Sequence, residues 1–150
     1  MTIKTIERPA LTVVGMTIRT QPMSPEIPAL WARFVARIDE IPNSAEPRVS
    51  YGVMRSEPDT LIYTAAVSVT AASGVPQGME SLVIPAGTYA TFRYPLSGLG
   101  KGFGEIFNQL LPASGFAAIA GAPLFERYDE AFDPGNPAST VEICIPVRRA

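Results

Sequence analysis

Two segments of this chain, one in each half, carry the same helical pattern of apolar residues. Large apolar side chains recur in each segment at positions i, i+3, i+4, i+7 and i+8, which places them along one face of an amphipathic helix. The two sets are Ile27, Leu30, Trp31, Phe34 and Val35, and Phe103, Ile106, Phe107, Leu110 and Leu111. Each predicted helix follows an extended apolar segment and precedes two more. The sequence therefore predicts a β-α-β-β unit that occurs twice, with a seam between the copies that can hold a small molecule.

The strands and turns around these helices follow from β-branched runs and from proline and glycine. In the first half, strands are predicted at 11–20, 48–55 and 61–70, with a helix from about 25 to about 40. In the second half, the prediction is a long strand over 82–94 kinked at Pro85, a helix over 102–111 that stops at Pro112, and strands at 124–130 and 140–147. Residues 95–102 are predicted to form a flexible loop over the seam. The fold class is α+β, in one domain over residues 1–150.

Composition limits the partners of the chain. Of its 150 residues, 47% are hydrophobic and 17% charged, which is typical of a globular protein. The net charge of −2 comes without a basic cluster, so no direct nucleic-acid binding is expected. No apolar run reaches the ~18 to 20 residues that a membrane helix needs, and the first residues lack the apolar core of a signal peptide. A cytoplasmic protein is expected.

The chain contains no histidine and one cysteine, Cys144. Serine–histidine and cysteine–histidine nucleophile pairs, histidine metal sites and cysteine zinc sites are thereby excluded. No metal or cofactor is expected. Acid–base chemistry, if the protein has any, must use carboxylates, tyrosines or lysines. Cys144 is expected to be half-buried and unreactive.

Five short motifs, in this order, resemble the GyrI-like effector-binding domains found in AraC-type and MerR-type regulators and also alone. They are Tyr51-Gly52-Val53, Ile84-Pro85-Ala86-Gly87-Thr88-Tyr89, Leu111-Pro112-Ala113-Ser114-Gly115, Leu124-Phe125-Glu126-Arg127-Tyr128-Asp129 and Val141-Glu142-Ile143-Cys144-Ile145-Pro146-Val147. The resemblance covers nearly the whole chain. One departure is Leu110, where many members carry a tryptophan before the Leu-Pro.

The resemblance implies two units around a pseudo-twofold axis, with a ligand cleft between them. Family ligands are amphipathic aromatic molecules, often cationic. The positions that match the family's pocket are Glu126 as the central carboxylate, Tyr51 and Trp31 as aromatic walls, and Tyr128. Leu96 and Ser139 also match, although both lie in or beside loops.

Without the family resemblance, the residues around Glu126 leave its role open. Strand alternation places Leu124, Glu126 and Tyr128 on one face. A carboxylate between two large apolar side chains is costly unless it is paired. The alternatives are a solvated glutamate on an edge strand, or an ion pair with Arg55 or Arg93.

The aromatic candidates have structural alternatives as well. Tyr51 shares a face with Val49 and Val53, and could be a core residue with its hydroxyl satisfied. Tyr63 lies among small residues that leave room for a ligand, and is a further candidate. Trp31 lies on the helix stripe, where aromatic residues are usually core, but its N–H needs a partner.

Three functions remain open from the sequence. The first is a stand-alone binding protein for hydrophobic aromatic molecules, preferably cations. The second is a hydrolase of cyclopropane-bearing DNA-alkylating compounds, as some family members are, with Glu126 acting on water and Tyr51 polarising the substrate. The third is a protein-interaction role such as gyrase inhibition. With no DNA-binding segment in the sequence, the chain is not expected to be a transcription factor by itself, unless it partners with one.

Overall fold

The computed structural model describes residues 3–150, which form a curled antiparallel sheet of nine strands with few helices. The strands are β1 (Lys4–Arg8), β2 (Leu11–Thr20), β3 (Ser50–Glu57), β4 (Thr60–Ser68), β5 (Glu80–Ile84), β6 (Gly87–Pro95), β7 (Phe116–Ala118), β8 (Leu124–Tyr128) and β9 (Thr140–Arg149). The helices are α1 (Glu26–Val35), α2 (Leu99–Glu105) and α3 (Leu111–Ser114). A π-type turn (Ile106–Leu110) joins α2 to α3, and 3-10 turns lie at Ile38–Glu40 and Leu96–Gly98.

The sheet is centred on the pairing of β3 with β8. Its order is β1-β6-β9-β8-β3-β4-β2-β5, and β7 pairs with β9 off this path. Outward from the central pair, the order is β4, β2, β5 on one side and β9, β6, β1 on the other. Each edge strand therefore pairs with a strand of the opposite half of the chain.

The helices pack on one face of this sheet, which we call the helical face. Leu30 and Phe34 of α1 pack with Tyr63 of β4, while Ile106 and Leu111 pack with apolar residues of β6 and β9. Both clusters are apolar side chains removed from water, which is the main stabilising contribution to such a fold. Because they lie on either side of the β3–β8 pair, the centre of the helical face lies between them.

The opposite face, which we call the back face, carries a third cluster. Tyr51, Val53, Tyr89, Phe125 and Cys144 lie in it, each almost fully buried. The partly buried residues that pack against it come from β1, β2 and β5. Both faces of the central strands are therefore covered.

The predicted long strand over 82–94 is wrong. It is divided into β5, which pairs with β2, and β6, which pairs with β1 and β9. Between them, Pro85 cannot donate to a ladder, and Gly87 has a φ of 157° that a side chain rarely adopts. The chain therefore changes partners here rather than kinking within one strand. Strands β1 and β7 were not predicted.

The second helical segment is longer than predicted and includes Pro112. It begins at Leu99 and ends at Ser114, so the predicted loop over 95–102 is partly helical. Pro112 lies in the first turn of α3, directly after the π-type turn. Proline lacks the N–H that would continue the helical ladder, and its position directly after the π-type turn, where the i→i−4 pattern is already interrupted, accommodates it.

Cys144 is fully buried rather than half-buried, and burial raises the pKa of its thiol to about 12. Since the thiolate is the reactive form, we expect Ellman's reagent to leave Cys144 unmodified in the native protein at pH 8. One thiol per chain should react in denaturant. Stoichiometric labelling of the native protein within minutes would contradict this burial.

Candidate functional site

Glu126 lies at the centre of the helical face, on β8. Its neighbours across the two ladders are Gly52 of β3 and Ile143 of β9. Strand alternation turns Leu124, Glu126 and Tyr128 to this face, as the sequence predicts. The Glu126 side chain is only 5% exposed. A buried carboxylate therefore lies between the two helix-packed clusters.

Two tyrosine hydroxyls hold one oxygen of this carboxylate. Tyr63 of β4 and Tyr128 of β8 each donate to Glu126 Oε1, at 2.7 Å in both cases. The Trp31 indole N–H in turn donates to the Tyr63 hydroxyl at 2.9 Å. No hydrogen-bond donor of residues 3–150 reaches Oε2. Oε1 thus accepts two hydrogen bonds, whereas Oε2 accepts none from the described residues.

Aromatic rings pack together beside this carboxylate. Trp31 makes edge-to-face contacts with Tyr128 and Tyr63, with ring centroids 5.2 Å and 6.4 Å apart. Phe132 packs edge-to-face on Tyr128 at 4.8 Å. Aromatic faces are electron-rich and attract cations. The site therefore combines a buried negative charge with flat apolar walls.

Neither structural alternative for Glu126 is observed. The side chain is not solvated, and the ion pairs among residues 3–150 do not include it. Arg55 lies 4.0 Å from Glu80, and Arg93 lies 3.2 Å from Asp129. The charge of Glu126 is therefore balanced only by hydroxyl dipoles within the described chain.

Burial and hydrogen bonding act on the Glu126 pKa in opposite directions. Burial raises it and is the larger effect, while the bonds from Tyr128 and Tyr63 lower it, so the net pKa is raised. Burial beside this carboxylate also raises the pKa of both tyrosines well above the usual value. The phenols stay protonated, which suits them as donors to a carboxylate.

Tyr51 is not part of this arrangement, and the prediction that it shares a pocket with Glu126 is wrong. Tyr51 pairs with Arg127, one residue beyond Glu126, and lies on the back face. Its hydroxyl donates to Glu46 at 2.7 Å and accepts from Arg127 Nε at 3.4 Å. Tyr51 is thus the core tyrosine with a satisfied hydroxyl that the alternative described.

Leu96 and Ser139 contact each other rather than Glu126. The Leu96 N–H donates to the Ser139 carbonyl at 2.8 Å. The Ser139 hydroxyl accepts from the Asp133 N–H at 3.0 Å, which orders the turn before β9. Leu96 packs at the margin of the cluster that includes Tyr128 and Phe132. Neither residue takes part in the hydrogen bonds around Glu126.

Two residues of the site were missed from the sequence. Gly52 lies directly beneath the Tyr63 hydroxyl and Glu126 Oε1, and its place in the Tyr51-Gly52-Val53 motif was the available signal. Phe132 follows β8 in an irregular segment, where periodicity gives no signal. In residues 3–150 no cluster of metal-binding side chains is found, and none of the helices there has the length and apolar character to cross a bilayer.

Comparison with known families fits this architecture. Residues 1–148 match the model of the GyrI-like small molecule binding domain. The chain belongs to the GyrI-like family. This GyrI-like chain is also 35% identical over 151 residues to the transcriptional regulator BrlR of Pseudomonas aeruginosa. That match covers 98% of the chain but 56% of BrlR, so the chain spans about half the length of this relative.

Solved structures share the fold at low sequence identity. A structure of SAV2435 bound to tetraphenylphosphonium matches with a TM-score of 0.80 and 17% identity, over 99% of this chain and 94% of that one. The C-terminal domain of EcmrR matches with a TM-score of 0.74 and 15% identity, over 98% and 97%. A hydrolase from Listeria innocua matches with a TM-score of 0.61 and 15% identity, over 98% and 92%.

Proposed function

We propose that this GyrI-like domain binds aromatic organic cations, with Glu126 as the counter-charge. The observation that supports this most directly is a buried carboxylate with an open Oε2, no ion-pair partner in residues 3–150, and the rings of Trp31, Tyr63 and Tyr128 around it. A buried charge is costly unless it is compensated. A cation seated on Oε2 would provide that compensation, and the rings would hold its aromatic parts.

The ligand site in this proposal lies where two repeated units meet. The strand order supports a pseudo-twofold relation, since β3, β4 and β2 succeed one another outward as β8, β9 and β6 do. The exchanged pairing of β1 with β6 and β5 with β2 has the same symmetry. Leu96 and Ser139 would border the entrance. The aromatic rings must separate to admit a ligand, because the carboxylate is covered.

The bound structure of SAV2435 supplies a probe for this proposal. We expect tetraphenylphosphonium to bind this protein more tightly than tetraphenylborate, an anion of the same shape, by about tenfold or more. The reason is that a charge-assisted contact with a buried carboxylate contributes about 1.5–3 kcal/mol. Isothermal titration calorimetry of both ions at the same ionic strength measures the difference. Equal affinities, or tighter binding of the anion, would rule out Glu126 as the counter-charge.

A second candidate function, hydrolysis of a strained ring, is favoured by one feature of the site. Burial raises the pKa of Glu126, and a carboxyl group with a raised pKa can act as a general acid or base. Tyr63 and Tyr128 replace Tyr51 as the phenols that could polarise a substrate. The test is turnover of a cyclopropane-bearing alkylating compound by purified protein. Binding of that compound without turnover would leave the cation-binding function alone.

In both candidates the domain acts on its ligand by itself. Any effect on transcription would be exerted through a DNA-binding protein or segment outside residues 1–150. A protein partner such as gyrase stays a proposal without a specific supporting contact.

A further inference from the structure

We propose that Gly52 is a positioning residue of the Glu126 site: the absence of its side chain lets the Tyr63 hydroxyl bind Oε1 and so leaves Oε2 for the ligand. This inference rests on the proposed cation-binding function. It concerns a residue that makes no side-chain contact itself. Its role is to keep a space open between three neighbouring strands.

The space that a side chain at position 52 would occupy already holds atoms of Tyr63 and Glu126. A Cβ at this position would lie 2.2 Å from the Tyr63 hydroxyl oxygen, 2.8 Å from the Tyr63 ring carbon that carries it, and 2.7 Å from Glu126 Oε1. Side-chain carbons do not approach other heavy atoms this closely. Even alanine at position 52 would therefore displace the hydroxyl, the carboxylate or both.

The sheet register explains why this position controls the site. Gly52 pairs with Ala65 on one side and with Glu126 on the other, and Tyr63 lies two residues before Ala65. The Tyr63 ring must therefore cross over β3 to reach a carboxylate on β8. Any side chain on the helical face of β3 at this position would stand in its path. Glycine at position 52 is required by this crossing, not by backbone conformation, since its φ is not positive.

Displacing the Tyr63 hydroxyl should change the ionisation of Glu126. The titratable groups that face this carboxylate are Tyr63 from β4 and Tyr128 from β8, whereas β3, β9 and α1 present Gly52, Ile143 and Trp31, which do not titrate. The bond from Tyr63 lowers the Glu126 pKa. Without it the carboxyl would stay protonated to a higher pH, and a cation would bind only above that pH.

The test is tetraphenylphosphonium binding to the full chain as a function of pH. The charge of this probe does not change with pH. The pH at which its affinity is halfway between the low-pH and high-pH values, called the midpoint below, therefore reports the titration of a group on the protein. Wild type, Gly52→Ala, Tyr63→Phe, the double variant and Gly104→Ala are compared by calorimetry. Gly104 is the matched control, because a Cβ there meets nothing within 4 Å.

We expect Gly52→Ala to weaken binding at neutral pH by about tenfold or more and to move the midpoint to higher pH. Tyr63→Phe should move the midpoint in the same direction. The double variant should move it no further than the larger single shift, because both changes remove the same hydrogen bond. Gly104→Ala should match wild type in affinity and midpoint.

Wild-type affinity and midpoint in Gly52→Ala would overturn this inference, and so would additive midpoint shifts in the double variant. If Gly52→Ala does not fold, Tyr63→Phe decides alone, and an unchanged midpoint there counts against the inference. Failure of the proposed function is recognised separately, because Glu126→Gln would then bind the probe as tightly as wild type does. If Glu126→Gln loses binding and Gly52→Ala has no effect, only the proposed role of Gly52 is contradicted.

Discussion

Replacing Glu126 by glutamine is expected to weaken the binding of tetraphenylphosphonium by about 1.5–3 kcal/mol, the range for hydrogen bonds and contacts to charged groups. Glutamine keeps the size of the side chain and an oxygen that can accept from Tyr63 and Tyr128. The negative charge is removed, and an NH2 group takes the place of Oε2. The loss should therefore appear in calorimetry as a reduced affinity for the cation, with little change for tetraphenylborate.

Glu105→Gln is the matched control for this substitution. Glu105 also accepts a hydrogen bond from a tyrosine, Tyr94, at 3.0 Å, but it belongs to α2 and is not the buried central carboxylate. Its replacement should leave cation affinity within about twofold, as for a surface change away from the site. Unfolding in urea should show that Glu126→Gln is folded and at least as stable as wild type at neutral pH, since a buried charge is removed. Unchanged cation affinity in Glu126→Gln would refute the assignment.

Replacing Phe125 by alanine is expected to lower the free energy of unfolding by about 3–5 kcal/mol. Phe125 is fully buried on the back face, next to Glu126 in β8. Its ring packs edge-to-face on Tyr51 and Tyr89, with centroids 5.7 Å and 5.4 Å away, and the Arg8 guanidinium lies 5.2 Å above it. Alanine would leave a cavity among rigid rings that cannot collapse to fill it.

Urea unfolding followed by circular dichroism measures this effect. The control is Phe107→Ala, because Phe107 is 41% exposed on the π-type turn and its loss should cost much less. Domains of this size have total stabilities of about 5–15 kcal/mol. We therefore expect the Phe125→Ala variant to keep only a small free energy of unfolding. A loss below about 1 kcal/mol would mean that the back-face cluster repacks and does not support the central strands.

Within each strand, the sequence was enough to predict which side chains share a face. The alternation in β8 placed Glu126 with Tyr128, and the helical stripe placed Trp31 towards the sheet, and both are observed. Alternation does not specify how one strand pairs with another. A shift of one residue in the pairing of β3 with β8 reverses the faces. Tyr51 was assigned to the pocket from the family resemblance, but the observed register places it on the back face and Gly52 on the helical face.

The helices and strands were predictable to the extent that they depend on local signals. The strand at 11–20 has its predicted bounds. Strand β1 was missed because its five residues become a strand only through pairing with β6. The helix around Gly100, Gly102 and Gly104 contradicts helix propensity. There, packing against the sheet and the rest of the chain decides the outcome: a Cβ at Gly102 would lie 2.6 Å from the Tyr94 ring.

Because the edge strands are exchanged, each half of the chain needs the other half to complete its part of the sheet. β1 is the first strand of the chain but completes the sheet of the second half, and β5 begins the second half but completes the sheet of the first. A cut in the segment between β4 and β5 would leave each fragment with a three-stranded sheet that is exposed at both edges, because the β3–β8 pairing is lost as well, and with one strand that has no partner. The fragments would depend on each other to fold. Either half alone would thus lack one strand of the central β3–β8 pair, so the surroundings of Glu126 exist only when both halves are folded together.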